Sequence, residues 1–112
     1  PFASGNIHAL LVTGNEVWVG GDFASIGAQF RTNLAVLDRT TGAAKNLNTS
    51  ANRPVLGLSL DGDTLYVGGD FSTLGGQPRS RLAALERATG ALTSWAPRPN
   101  GLAYTLAAAP VL

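Results

Sequence analysis

The sequence lacks cysteine and methionine entirely, and it has a single histidine, His8, among its 112 residues. Without cysteine there can be no disulfide bond and no thiolate metal site, and one histidine cannot supply a histidine cluster for zinc. The sequence therefore predicts no metal and no cofactor, and its cysteine content says nothing about the redox compartment.

Charge is also sparse. Charged residues make up 13% of the chain, the formal net charge is +1, and Lys45 is the only lysine among the eight cations. A nucleic-acid-binding domain would carry a much larger basic excess, so no nucleic acid partner is expected. No apolar run approaches the roughly 20 residues of a membrane-spanning helix, so no membrane insertion is expected either.

What the sequence does contain is an internal repeat. Segment 17–31, VWVGGDFASIGAQFR, matches segment 65–79, LYVGGDFSTLGGQPR, 48 positions later and without a gap; we call this offset one repeat. A third copy begins near residue 97. We predict units at residues 1–48 and 49–96, with residues 97–112 providing the first strand of another. The residues that recur identically at the centre of both copies are expected to be structural: Gly20, Gly21, Asp22, Phe23, Gly68, Gly69, Asp70 and Phe71.

Each unit reads as four short strands. An apolar run, a glycine turn and a second run predict a hairpin, and the third and fourth strands follow a polar connection. No window has a helical period, so the chain is predicted to be all-β. The predicted first three strands cover 7–12, 17–19 and 34–38 in one unit and 55–60, 64–67 and 82–86 in the next; the weaker fourth strands cover 43–47 and 91–95.

Four antiparallel strands repeated every 40 to 50 residues or so are typical of β-propeller blades. A solenoid of β-coils is the alternative, although its period is normally shorter. Propellers close with about 4 to 8 blades, and two blades leave sheet faces and edges uncovered. We therefore expect either a homo-oligomer that closes a ring or further blades in a longer chain.

The Val-Gly-Gly-Asp-Phe core, the Gly-Gly-Gln-Pro-Arg segment and the Thr-Gly turn followed by Trp95 resemble the delta-60 type of β-propeller repeat. That family is distantly similar to kelch and WD-type blades. The resemblance implies a propeller module of a secreted or cell-surface bacterial protein. The first copy departs from the pattern at Ala28, Phe30 and Asn33.

The polar residues suggest a binding surface rather than an enzyme. The connection after the second strand and the link between units should emerge at one end of the blades, where Arg and amide side chains suit carboxylates, sulfates and sugar hydroxyls. We predict a lectin-like surface for carbohydrate or an acidic partner. Its candidate residues are Gln29, Arg31, Asn33, Arg53, Gln77, Arg79, Arg81, Arg98 and Asn100.

Other interpretations remain open. The arginines could instead pair within the blade, which would make the chain a purely structural array. Asp22 and Asp70 recur with Arg31 and Arg79, so structural ion pairs are expected there rather than catalysis. His8 is expected to pack or to line a channel. A propeller-based glycan hydrolase or lyase is the third alternative, although no catalytic set is visible.

Overall fold

The computed structural model describes residues 4–27, 29–45, 47 and 49–96, so the predicted third unit lies outside the described residues. The described part is made of strands and contains no helix, which confirms the all-β prediction. Accordingly, no helix there is long and apolar enough to cross a membrane. The strands are β1 (Asn6–Thr13), β2 (Glu16–Asp22), β3 (Ser25–Ile26), β4 (Gln29–Phe30), β5 (Leu34–Asp38), β6 (Val55–Asp61), β7 (Thr64–Gly69), β8 (Thr73–Leu74), β9 (Gln77–Pro78) and β10 (Leu82–Glu86).

Two three-stranded antiparallel sheets form the body of the structure. The first sheet has the order β1-β2-β5 and the second sheet the order β6-β7-β10. The hairpin turns place Gly14 and Gly62 at φ angles of 57° and 61°, a left-handed conformation that glycine adopts without steric cost. The third strands β5 and β10 have the predicted bounds.

The predicted fourth strands are wrong as strands. Each is reduced to one isolated bridge, Ala44 to Leu37 and Leu92 to Leu85. Each bridge consists of two backbone hydrogen bonds. In the first sheet Lys45 N donates to Val36 O at 2.7 Å and Asp38 N to Ala43 O at 2.8 Å, and equivalent bonds form one repeat later in the second sheet. The physical reason is composition, because neither segment has the run of β-branched and aromatic side chains that favours a longer strand.

The polar connections after β2 and β7 form two small hairpins that the sequence did not predict, β3–β4 and β8–β9. Their turns use Gly27 and Gly75 at φ angles of 57° and 59°. Ile26 and Leu74 are buried against the sheets, so each hairpin is anchored by one apolar side chain.

The core lies between the two sheets. Side chains alternate along the strands, so that Trp18, Leu34 and Val36 of the first sheet point towards the second sheet. The second sheet meets them with its own buried face, which we call the Val67 face: Val55, Leu65, Val67, Phe71, Leu74, Ala83 and Leu85, with Leu58 and Leu60 at its edge. We call the side of the first sheet that carries Trp18 the Trp18 face.

Two sheet faces point away from this core. On the first sheet, Val19, Phe23, Ile26, Ala35 and Leu37 form a separate cluster, which we call the Val19 face. These residues lie one repeat before Val67, Phe71, Leu74, Ala83 and Leu85, so the Val19 face corresponds to the Val67 face. On the second sheet, Tyr66 and its cross-strand partners Ser59 and Ala84 form the corresponding Tyr66 face.

Candidate functional site

The segments that precede β1 and β6 bind the connections that follow β2 and β7. The Ser4 hydroxyl accepts hydrogen bonds from Ala24 N at 3.0 Å and from Ser25 N at 3.1 Å. The Asn52 side chain, one repeat later, accepts them from Ser72 N at 2.9 Å and from Thr73 N at 3.0 Å. The link and the connection therefore lie at the same end of the sheets, as the sequence predicts.

Replacing Asn52 with Ala should lower the free energy of unfolding by about 1 kcal/mol, because two backbone N–H groups lose their acceptor at a solvent-exposed site. Urea denaturation followed by tryptophan fluorescence measures the change. Gln77→Ala is the matched control, since it removes an exposed amide for which no hydrogen bond within the described residues is seen, and it should change stability by less than about 0.5 kcal/mol. Equal effects of the two substitutions would show that Asn52 does not hold the connection.

An ion pair forms in the second sheet, with a partner that the sequence did not predict. Arg53 Nε and Arg53 Nη2 both lie 2.9 Å from Asp70 Oδ2. The sequence pattern favours Arg79 for this contact. The position one repeat before Arg53 is Gly5, so the same ion pair cannot form with Asp22 in the first sheet. Because the Arg53 side chain is mostly exposed, the pair contributes little to stability.

Arg31 and Arg79 instead tie the small hairpins to the segments after β5 and β10. Arg31 Nε and Nη2 donate to Lys45 O at 3.2 and 3.1 Å, and Arg79 Nη2 donates to Thr93 O at 2.8 Å. Each arginine also donates to the carbonyl of its preceding residue at 2.7 Å. The same contact at equivalent positions of the two repeats indicates that both arginines stabilise the fold.

Asn33 is also used inside the chain. Its side chain is 4% exposed, and its Oδ1 accepts from Phe23 N while its Nδ2 donates to Ala51 O, both at 3.0 Å. Both Asn33 and Arg81 have a φ angle of 68°, a left-handed conformation that asparagine tolerates better than most residues. Asn33 therefore joins the first sheet to the link that leads into the second, and its amide does not face solvent.

A polar groove lies beside the second small hairpin. It has a volume of about 440 Å³ and is lined by Gly75, Gln77, Arg79, Thr89, Gly90, Ala91 and Leu92. We call it the hairpin groove. Gln77 is exposed at its edge. A smaller groove of about 280 Å³ is also lined by Arg79, together with Ser72, Pro78, Ser80 and Ala96. The hairpin groove thus brings two of the predicted binding residues, Gln77 and Arg79, together with the Thr89 hydroxyl.

The acidic side chains at the opposite end of the sheets stabilise turns. Asp38 Oδ1 accepts from Thr41 N at 2.9 Å and from Thr40 N at 2.8 Å. These hydrogen bonds, the one from Thr41 first, lower the pKa of Asp38. Asp63 pairs with Arg87 at 3.4 Å. Nowhere in the described part of the chain do three or more His, Asp or Glu side chains come together in a way that could hold a metal ion.

The remaining predicted residues have varied positions. Gln29 is exposed on the first small hairpin, next to Phe30, whose side chain is 88% exposed. His8 is exposed on β1 instead of packed in the core. Arg98 and Asn100 lie outside the described residues. The sequence prediction missed Thr89, Gly90 and Leu92, because nothing in their spacing shows that the hairpin lies beside the turn after β10.

Comparison with known proteins adds no family to this description. No family model matches the sequence, and searches of curated proteins and of solved structures also return no match.

Proposed function

We propose that this chain is a non-enzymatic binding module built from β-propeller-type blades, and that it recognises carbohydrate or an acidic partner through the hairpin groove. The observation that carries the proposal is the meeting of Gln77, Arg79 and Thr89 around one open groove of about 440 Å³. This volume is within the range of about 300 to 1,000 Å³ that small-molecule sites occupy.

The groove has the chemistry that a sugar needs. The Gln77 amide can donate and accept hydrogen bonds, and the Arg79 guanidinium suits a carboxylate or a sulfate. The Thr89 hydroxyl donates to Glu86 Oε1 and accepts from Ala91 N, both at 3.1 Å, so it offers a ligand one remaining lone pair as an acceptor. Leu92 adds an apolar wall against which the C–H face of a sugar ring can pack. Arg79 is held in place by its bond to Thr93 O, so its position does not have to be fixed when a ligand binds.

The proposed cellular location and the completion of the blades are based on the resemblance to delta-60-type repeats. We propose an extracellular or cell-surface location in a bacterium, with the blades completed by other copies or by further blades of a longer chain. The stacking of the two sheets through the Trp18 and Val67 faces supports this arrangement, because blades of a propeller pack face to face.

A glycan array tests the proposed ligand, followed by titration of the best binder. Gln77→Ala should weaken binding about tenfold, which corresponds to roughly 1.4 kcal/mol for lost hydrogen bonds. Gln77→Glu keeps the size of the side chain and adds negative charge, so it should weaken an anionic glycan much more than a neutral one. Asn6→Ala is the matched control, because it removes an exposed amide on β1, away from the groove, and should leave binding unchanged.

A purely structural array is the second candidate. It is favoured by the internal hydrogen bonds of Arg31, Asn33 and Arg79, which the fold itself uses. If neutral glycans, anionic glycans and acidic peptides all fail to bind the folded protein at millimolar concentration, the binding proposal is wrong and the structural one takes its place.

A further inference from the structure

The Val19 face of the first sheet is open along β1, although its central residues are buried and the corresponding edge of the second sheet is covered. Leu10 and Val12 at its edge are 63% and 56% exposed, whereas Leu58 and Leu60, one repeat later, pack against the core. A largely apolar groove of about 440 Å³ runs across this face. Its lining comprises Ile7, Leu10, Val17, Val19, Ile26 and Leu37, with residues 38–42 along one side. An exposed apolar surface of this kind marks an interaction site.

The chain itself shows what covers such a face. Within the molecule, the Val67 face packs on the Trp18 face, and two contacts fix their alignment. Leu47 lies against Gly90, where an added Cβ would stand 3.0 Å from Leu47 Cδ1. At one end of the sheets, Arg87 Nη1 lies 3.3 Å from Thr13 Oγ1. We use these contacts as a template, that is, as the set of residue pairs expected to meet in any second interface between two such faces.

Moving the template by one repeat identifies the partners in that second interface. In the second interface, the Tyr66 face takes the position of the Trp18 face and Trp95 takes the position of Leu47, each one repeat later. Gly42, the repeat equivalent of Gly90, takes the position of Gly90. Gly42 lines the open groove, and Trp95 is a large apolar side chain that is 42% exposed. Trp95 is held edge-on against Tyr66, with ring centroids 5.3 Å apart. The chain thus carries both a groove and an aromatic side chain placed to fill an equivalent groove.

We propose that the Val19 face of one copy binds the Tyr66 face of a second copy, with Trp95 of the second copy entering the groove beside Gly42 of the first. Both faces belong to the same chain but are different surfaces, so the contact is head to tail and each pair of bound copies leaves one face of each kind for further copies. The proposal rests on the blade architecture proposed above, but it does not depend on the hairpin groove or on its ligand.

Charge supports a second copy as the occupant. The template contact between Arg87 and Thr13 becomes a contact between Arg39 of the first copy and Asp61 of the second. Both residues are exposed, and Arg39 lines the open groove. A neutral threonine inside the chain is therefore replaced by an aspartate where the two copies would meet. An opposite charge at this position fixes the alignment and speeds association.

Sedimentation velocity across the micromolar concentration range tests the proposal directly. The wild-type chain should associate, and Trp95→Ala should weaken association about 30-fold or more, as expected for a central aromatic residue that contributes about 2 kcal/mol. Phe30→Ala is the control, since it removes an exposed aromatic side chain outside the groove and should leave association unchanged. A wild-type chain that stays monomeric, or a Trp95→Ala chain that associates like the wild type, would overturn the proposal.

A charge exchange tests the alignment without touching the core. Arg39→Glu alone and Asp61→Arg alone should each weaken association about fivefold, which corresponds to roughly 1 kcal/mol. Mixing the two single variants should restore association through alternating copies, because each interface between unlike copies pairs opposite charges whereas each interface between like copies pairs like charges. The chain that carries both substitutions should associate like the wild type. Association that recovers in neither case would show that Arg39 and Asp61 do not meet, and the proposed docking would be wrong.

Discussion

Replacing Trp18 with Ala is expected to lower the free energy of unfolding by about 3 to 5 kcal/mol, the range for removing a buried tryptophan. Trp18 is fully buried and belongs to the cluster in which both sheets meet. Its removal would leave a cavity between Leu34 and Val36 on one side and the second sheet on the other. Since a domain of this kind is stable by only about 5 to 15 kcal/mol, a large fraction of the variant should unfold in mild denaturant. Guanidinium denaturation followed by circular dichroism measures this loss.

Two variants separate the packing of Trp18 from nonspecific effects. Phe30→Ala removes an aromatic side chain that is 88% exposed and should change stability by less than about 0.5 kcal/mol. Trp18→Phe should cost less than Trp18→Ala, because it keeps most of the buried ring. The Trp18 Nε1 atom has no hydrogen-bond partner within the described residues, so the Phe substitution should break no hydrogen bond. A loss below about 1 kcal/mol for Trp18→Ala would show that the two sheets do not depend on this contact.

The parts of the fold that could be predicted from the sequence are those that local chemistry determines. The third strands were predicted at Leu34–Asp38 and Leu82–Glu86 because an apolar run stands between a polar connection and a Thr-Gly turn. The hairpin turns could be found because glycine is the residue that adopts a left-handed conformation most readily. Each pattern occurs in both copies of the repeat, and this recurrence separated it from chance.

The parts that could not be predicted depend on contacts between distant segments. The fourth strands were expected because each repeat was predicted to contain four strands. Ala44 and Leu92 make only isolated bridges, since their neighbours lack a strong strand preference. The ion pair of Asp70 could not be assigned either. Both Arg53 and Arg79 are near it in sequence, and only the folded chain shows that the backbone carbonyl of Thr93 already holds Arg79.

The candidate site also has residues that the sequence could predict and residues whose role only the fold shows. Residue type alone pointed to Gln77 and Arg79, since amides and guanidinium groups bind polar ligands. Residue type also pointed to Asn33, yet the fold buries that side chain between two backbone groups. The same polar chemistry serves backbone groups and ligands equally well, so only burial distinguishes an asparagine that holds the fold from one that can bind a partner.

Replacing Gly69 with Ala is expected to lower the free energy of unfolding by about 3 kcal/mol, at the upper end of the cost of overfilling a packed site. At the end of β7 the backbone approaches the start of β6, and an added Cβ would stand 2.4 Å from Pro54 O and 2.9 Å from Val55 Cα. Backbone atoms cannot turn aside as a flexible side chain can, so β6 would have to move. That movement would strain the hydrogen bond from Asp70 N to Pro54 O, which measures 2.9 Å.

Gly62→Ala is the matched control, because the same methyl group is added where nothing lies within 4 Å. Gly62 has a φ angle of 61°, so this variant carries only the strain of a left-handed alanine, about 1 to 2 kcal/mol. Thermal and urea denaturation of the two variants therefore compare steric contact with backbone strain. Gly69→Ala should be the less stable of the two, and the reverse order would mean that β6 and β7 do not approach as closely as the structure has them. Close approach at this point sets where β6 begins, and β6 supplies Val55 to the core between the sheets.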